Sequence, residues 1–369
     1  DRASVGAAAD GSFVISWESS NFDGSDNNVV AQLYDPDGVP VGSDFQVNTY
    51  TTGNQVLPSL GVAPDGSFVI AWTSFNQVDN QDVFAQRYDA AGTAQGGEFL
   101  VNTYTSSAQY WPSVGVAGDG SFLVAWSDYY PPSATGEQTV AQRFDSGGSP
   151  VGSYFLVDTN TDTSQTQASV DGSSDGSFVV VWQDTGRDGS NYGVFGQLFD
   201  SSGMRFGQVF QVNTTTLNRQ ERPDVAFDEV GNFVVTWQSD PTGTNDDIHA
   251  QRFLAPCRES MTLRANVWSL IGLPCQPAAG QDTVGDVFGD DLPSLDYGLT
   301  WAVFERDETN DQYVRMSLSD SMTMGEGYWI IATDADTPID VEGHNADYTC
   351  PAGSEFAAGG GCHDSPAVV

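Results

Sequence analysis

The chain has 369 residues, 39% apolar and 12% aromatic, enough to fill a sizeable core and too apolar for a disordered chain despite 40 glycines. Fifty acidic residues face 12 basic ones, every one of them arginine, for a formal charge of −38. A surface this negative repels nucleic acid and anionic lipid, and no apolar window reaches the ~18 residues of a membrane helix.

Read from the N-terminus, the chain opens on Asp1 inside a repeat, as expected of a processed or truncated product. Trp17, Trp72, Trp126, Trp182 and Trp237 then recur 55, 54, 56 and 55 residues apart, closing DGSFVISW, DGSFVIAW, DGSFLVAW, DGSFVVVW and VGNFVVTW. A fixed period of this length means one supersecondary unit stacked on its own copies. In the second copy four β-type runs are expected: Ser59–Ala63, Phe68–Trp72, Val83–Asp89 and Phe99–Thr103, separated by Pro64-Asp65-Gly66, a polar stretch, and Ala91-Gly92. Four strands per repeat, without helical periodicity, predict an all-β β-propeller of about five four-stranded blades (about 1–51, 52–105, 106–160, 161–216 and an incomplete 217–254). Tandem immunoglobulin-like domains need about twice that length per unit.

Side chains fit the taper of a blade. Gly6, Gly61 and Gly115 sit in the first strand, where an innermost strand is crowded. The second strand is apolar on both faces, Phe68, Ile70 and Trp72 against Val69 and Ala71, so neighbours are expected on each side. Gln32, Gln86, Gln142, Gln197 and Gln251 recur on the third strand and read as buried amides bonded to backbone. Asn48, Asn102, Asp158 and Asn213 close the fourth strand as turn caps. Length changes fall in the loop between second and third strands, on the face that also carries the blade-to-blade crossings, and binding is expected there.

The fifth copy stops after Phe253 without its fourth strand, leaving a third-strand edge that must be covered. The C-terminal module, sequence beyond the chain, or a strand from a neighbouring molecule are the candidates; the last would build a head-to-tail filament. Beyond it, residues 257–343 are expected to form a small β-sandwich with a hairpin over Trp301–Met316. Residues 344–369 read as a loop-rich tail. Cys257, Cys275, Cys350 and Cys362 match no zinc spacing; proximity favours Cys257–Cys275 and Cys350–Cys362 among three possible pairings, hence an oxidising compartment.

The repeat, with its DGSFVVxW, AQRFD and FxVNT marks, resembles repeats of large secreted or cell-surface bacterial proteins often described as propellers. WSLIGLP and GEGYWI resemble a β-module near the C-termini of secreted bacterial proteins. The first resemblance covers residues 1 to about 254, the second about 80 residues. Together they imply surface display with adhesion or scaffolding.

The residue types bear on several chemistries. Asp23 and Asp26, Asp79 and Asp82, Asp184 and Asp188, and Asp246 and Asp247 offer oxygen ligands on the variable loops and make Ca²⁺ the candidate ion. None matches a calcium-loop motif, and ordinary solvated turns explain the same residues. Phe75, Tyr129, Tyr130 and Tyr192 lie in the same loops, where sugars stack on such rings; equally, they can pack as lids. A sialidase-type glycosidase requires an arginine cluster and a tyrosine nucleophile, and no singular set of this kind breaks the repeat. His249, His344 and His363 are too few and too scattered for a serine relay. The expectation is therefore a secreted, non-catalytic structural or adhesive protein working through contacts with itself or other surface proteins. A lectin-like propeller, or a glycoside hydrolase, is the alternative.

Overall fold

A computed structural model describes residues 3–24, 26–129, 136–228, 231–240 and 247–253, and beyond these eight strands between 257 and 364. The described residues are all-β, without a helix, and most of those up to Phe253 form repeated antiparallel sheets. The first sheet is β1 (Ala3–Ala7), β2 (Phe13–Ser20), β3 (Asn27–Tyr34) and β4 (Pro40–Gln46), in chain order. The second is β5 (Gln55–Val62), β6 (Phe68–Phe75), β7 (Gln81–Tyr88) and the two-residue β8 (Phe99–Leu100); the third is β9 (Gln109–Val116), β10 (Phe122–Tyr129), β11 (Glu137–Phe144) and β12 (Pro150–Leu156). The fourth holds β13 (Gln165–Gly172), β14 (Phe178–Thr185), β15 (Tyr192–Phe199) and β16 (Arg205–Gln211). The fifth holds β17 (Arg219–Phe227), β18 (Phe233–Asp240) and β19 (Asp247–Phe253), and a single parallel pairing, Tyr192 with Arg219, joins it to the fourth. The strands run several residues beyond the apolar cores that the sequence marks.

In the first four sheets the turn between first and second strands is built by the DGS signature. Asp65 Oδ1 accepts from both the backbone N–H and the hydroxyl of Ser67, and Gly66 takes a φ of 85° that a side chain would resist. Those bonds hold the carboxyls of Asp10, Asp65 and Asp119 below the ordinary aspartate range. The phenylalanine of the same signature stacks on the aromatic ending the third strand: Phe68 on Tyr88 and Phe122 on Phe144, with ring centroids 4.8 and 4.9 Å apart.

One strand feeds two cores. Phe68, Ile70 and Trp72 pack with Val14, Val29 and Ala31 of the first sheet, whereas Val69 and Ala71 pack with Val114, Phe122 and Trp126 of the third. The same division recurs along β10 and β14, so sheet stacks on sheet in series, as in a propeller. The inner strands follow suit, β1 on β5, β5 on β9, β9 on β13 and β13 on β17. A Cβ on Gly61 would lie 2.7 Å from Val116 Cγ2, and one on Gly115 2.8 Å from the Asp171 backbone, which is why the crowded strand carries glycine. Serines on these strands tie neighbour to neighbour: Ser4, Ser59, Ser113 and Ser169 Oγ accept from the backbone N–H of Leu60, Val114, Val170 and Val225. At the two ends of the series the stacking faces are exposed, with Val5 66% and Ile248 77% accessible against none for Trp72.

The recurrent glutamine fills a β-bulge between third and fourth strands. Gln32 Nε2 donates to the carbonyls of Leu33 and Val41, and Gln197 Nε2 to those of Leu198, Phe206 and Gly207. The recurrent asparagine does more than cap a turn. Asn102 Oδ1 accepts from Val83 N–H, and its amide donates to Asp82, to Tyr104 O and to Gln109 Oε1 of the next sheet.

Residues Leu254–Val369 form a second compact unit. Within it Cys257–Leu263 pairs with Thr337–Gly343, Trp268–Gly272 with Gly327–Ala332, and Trp301–Asp307 with both Gly327–Ala332 and Gln312–Arg315. Ser354–Ala357 pairs with Gly361–Asp364. Cys275 and Cys350 lie outside the described residues, and both expected disulfides lie there with them.

Candidate functional site

Opposite each buried tryptophan the inner strand carries one residue too many. Ser59 pairs with Ala71 and Val56 with Thr73, so Leu57 and Pro58 together face Trp72; the register shifts likewise in β9, β13 and β17. These are β-bulges, which re-aim a side chain and end the local ladder. Proline suits the second bulge position because it has no N–H to lose, and Pro58, Pro112 and Pro223 occupy it, with Ala168 in the fourth sheet. The first position takes a left-handed backbone at a residue that is never glycine: φ is 59° at Leu57, 54° at Trp111, 52° at Gln167 and 55° at Arg222. Such values are outliers for bulky side chains, and strain of this kind gathers where a side chain has a task.

Three of the four strained residues are clasped from the preceding sheet. Glu18 Oε1 accepts Leu57 N–H at 2.7 Å, Ser127 Oγ accepts Gln167 N–H at 3.3 Å, and Gln183 Oε1 accepts Arg222 N–H at 3.1 Å. The acceptor is always the residue after the repeat tryptophan. Thr73 holds that place before Trp111, and its hydroxyl makes no such bond.

The four side chains converge on one pocket of about 310 Å³ at the axis, with Pro58, Pro112, Ala168 and Pro223 as its remaining wall. That volume is at the small end of the range for ligand pockets, ~300–1,000 Å³. It offers an aromatic plane (Trp111), an amide (Gln167), a guanidinium (Arg222) and an aliphatic surface (Leu57). It opens on the face that carries the sheet-to-sheet crossings and the variable loops, since each bulge lies at the strand end beside them.

Next to the pocket stands a half-buried carboxyl, Glu137. Tyr110 packs edge-on against Trp111 at 4.9 Å, and its hydroxyl donates to Glu137, whose other oxygen accepts from Ser164 Oγ at 3.4 Å. Burial pushes the Glu137 carboxyl up, and the Ser164 bond only partly offsets this. Asp128, fully buried in the same sheet, is also pushed up by burial, against bonds from Gln109 and Ser107. A second acidic pair sits on the inner strands where the repeat has glycine and serine. Asp171 replaces the glycine and accepts the backbone N–H groups of Phe227 and Gly172, and Asp224 replaces the serine and accepts the hydroxyl of Ser169. Burial, with the nearby Asp224 charge, raises the Asp171 carboxyl to about 6.

The residues singled out on the loops have other surroundings. Asp23 accepts amides from Asn28 and Gln46, Asp26 gives its backbone carbonyl to Asn28, and Asp82 binds Asp79 N–H and Asn102. Asp188 accepts from Ser190 and Asn213, and Asp247 lies exposed at the start of β19. Asp184 is buried; burial raises its carboxyl, moderated by Thr163 and by Arg187 at 3.6 Å. Arg187 also pairs with Asp158, the aspartate standing where other sheets have asparagine. Among the described residues no group of three or more His, Cys, Asp or Glu side chains is placed to hold a metal ion. Phe75 ends β6, Tyr129 ends β10 with 45% of its surface accessible, and Tyr192 begins β15; none lines the axial pocket. Tyr130 and Asp246 lie outside the described residues. His249, exposed on β19, has its ring centroid 5.9 Å from that of Trp237. Of the repeated arginines, Arg87 donates to the carbonyls of Ser146 and Gly147 in the next sheet.

No protein-family model matches the chain, and no curated protein matches it. Solved structures similar to it include an endo-arabinase from Bacteroides thetaiotaomicron, 13% identical over 66% of this chain and 90% of that one, at a TM-score of 0.41. A GH43 endo-arabinanase from Bacillus licheniformis is 10% identical over 68% and 93%, at 0.40. An α-L-arabinanase from Penicillium chrysogenum, complexed with arabinobiose, is 14% identical over 65% and 77%, at 0.46. These neighbours are enzymes that cleave glycosidic bonds. Their names are those of arabinan-degrading enzymes, which runs against the expectation of a non-catalytic adhesive scaffold assembling into filaments.

Proposed function

We propose that the chain is a carbohydrate-active β-propeller of five blades, the fifth lacking its outer strand, that holds a glycan in the axial pocket and cleaves it with Glu137 as general acid. One observation carries the reading. Four non-glycine side chains, held at strained left-handed bulges, are aimed at a single pocket, and the aromatic one contacts the tyrosine that bonds a carboxyl of raised proton affinity. Trp111 gives a sugar ring a stacking plane, while Gln167 and Arg222 supply donors for hydroxyls. A carboxyl whose proton affinity is raised above the ordinary value suits protonation of a leaving-group oxygen. A secreted location belongs to the same proposal, supported by cysteines without metal-site spacing.

A binding-only, lectin-like role is the second reading, favoured by a specific feature: the residues lining the pocket include no carboxylate. Incubating the protein with a panel of plant and algal polysaccharides, scored for reducing ends and by calorimetry, separates the two. Heat of binding without new reducing ends leaves the lectin; neither signal removes both.

A further inference from the structure

Charge around the axial pocket is distributed unevenly. The chain carries 50 acidic residues and 12 arginines; Arg187 and Arg219 pair with carboxylates, and what the other guanidinium groups meet tells them apart. Beside the pocket, Glu221 and Asp240 are both taken by Arg219, at 3.4 and 3.5 Å. Arg205 donates to the carbonyls of Leu156 and Val157, as Arg87 does to those of its own neighbours. Arg222 differs from all of these. Its backbone is clasped by Gln183, its side chain lines the pocket, and among the described residues no carboxylate lies within ion-pair distance of its guanidinium.

An uncompensated guanidinium in a concave site is a receptor for a planar or tetrahedral oxyanion, which it grips with two parallel N–H donors. The pocket also holds Trp111, whose face can stack on a sugar ring. We propose that the ligand of this pocket is an acidic sugar, a glycan whose ring bears one singly charged substituent, a carboxylate or a sulfate ester, seated on Arg222 while the ring lies against Trp111. The proposal rests on the carbohydrate reading above and specifies its substrate class. A singly charged group also suits the wider field: a chain of charge −38 opposes densely anionic ligands at long range, and salt within a Debye length of ~8 Å at 0.15 M screens that opposition far more than it weakens a contact inside a pocket.

The test is calorimetry on the full 369-residue chain at 0.15 M salt with three short oligosaccharides: a galacturonate, a sulfated galactan and a neutral galactan. Wild type is expected to prefer at least one acidic ligand to the neutral one by about tenfold or more. Arg222→Gln is expected to weaken the acidic ligands more than the neutral one and so to erase that preference, and Arg222→Lys to retain part of it, because the charge survives and the fork does not. Trp111→Ala is expected to weaken acidic and neutral ligands alike. Which acidic arm binds identifies the substituent. Equal affinity for all three ligands, unmoved by Arg222→Gln, overturns the acidic-sugar proposal and leaves the glycan reading standing. No heat with any of the three, from a protein whose melting curve is cooperative, overturns both.

Discussion

Gln183 joins two sheets through one side chain: its Nε2 donates to Thr166 Oγ1 at 3.0 Å within its own sheet, and its Oε1 accepts the N–H of Arg222 in the next at 3.1 Å. The amide is buried, so neither bond is replaced by water when it is removed. Gln183→Ala is expected to lower stability by about 1–3 kcal/mol, since it leaves a donor at a strained bulge unanswered. Chemical denaturation measures that loss. The same variant is expected to weaken glycan binding, because the backbone that aims Arg222 loses its clasp. Unchanged affinity at reduced stability would separate the clasp from the site.

Leu57 offers the complementary test. Its φ of 59° costs a β-carbon-bearing residue on the order of 1 kcal/mol, a cost that glycine avoids. Leu57→Gly is therefore expected to keep or raise the unfolding free energy read by urea denaturation, by up to about 1 kcal/mol, where a leucine-to-glycine change in a regular strand would lower it. Affinity for a glycan is expected to fall, because the aliphatic wall of the pocket is gone. A destabilisation of more than about 1 kcal/mol would mean that Leu57 is kept for packing.

The repeat made the sheets, their order and their two-sided cores legible, because a period-two apolar pattern between Asp-Gly turns has one structural solution once it recurs. The glutamines of the first four sheets were legible for the same reason: one residue type repeated at one column signals a shared backbone need. The pocket was not legible. Its column holds Leu57, Trp111, Gln167 and Arg222, four unlike residues, and variation at a column reads as tolerance until the backbone shows that all four share a left-handed bulge. The following prolines pointed the wrong way, since a residue before proline favours extended backbone. The available signal was the constant nine-residue step to Pro58, Pro112, Ala168 and Pro223, which fixes the position of the residue before each. Glu137 was hidden too, because its acidity depends on Tyr110, 27 residues away, and on burial that no local pattern encodes.

Asp171 links the inner strands to pH. Its folded carboxyl stands at about 6 against an ordinary 3.8, so across that interval the folded state holds a proton that the unfolded state has released. Stability from this group is therefore present below pH 3.8 and falls as pH rises through about 6, by an amount on the order of 1–3 kcal/mol. Asp171→Asn keeps an acceptor for Phe227 N–H and has no proton to lose. It is expected to flatten that part of the profile and to raise the melting temperature at pH 8 relative to wild type. Parallel profiles for the two proteins between pH 4 and 7 would show that the Asp171 carboxyl titrates alike in folded and unfolded chains.

Glu137 carries the chemistry proposed here, and its role divides from its structural contribution by substitution. Glu137→Gln preserves shape and an acceptor for Tyr110, so the fold is expected to melt within a few degrees of wild type while glycan cleavage falls by on the order of 10²–10⁴-fold. A general acid works only while protonated, so the wild-type rate is expected to decline as pH rises through the Glu137 pKa. Because burial sets that pKa above the ordinary carboxyl value, the decline begins at higher pH than for a solvated glutamate. Tyr110→Phe removes the hydroxyl that stabilises the carboxylate and is expected to move the same limb higher still while leaving Trp111 its aromatic neighbour. Initial rates of reducing-end release across pH 4–9 for the three proteins test the assignment. A limb that stays in place when Tyr110 loses its hydroxyl would move the acid role to another carboxyl, with buried Asp128 the next to substitute.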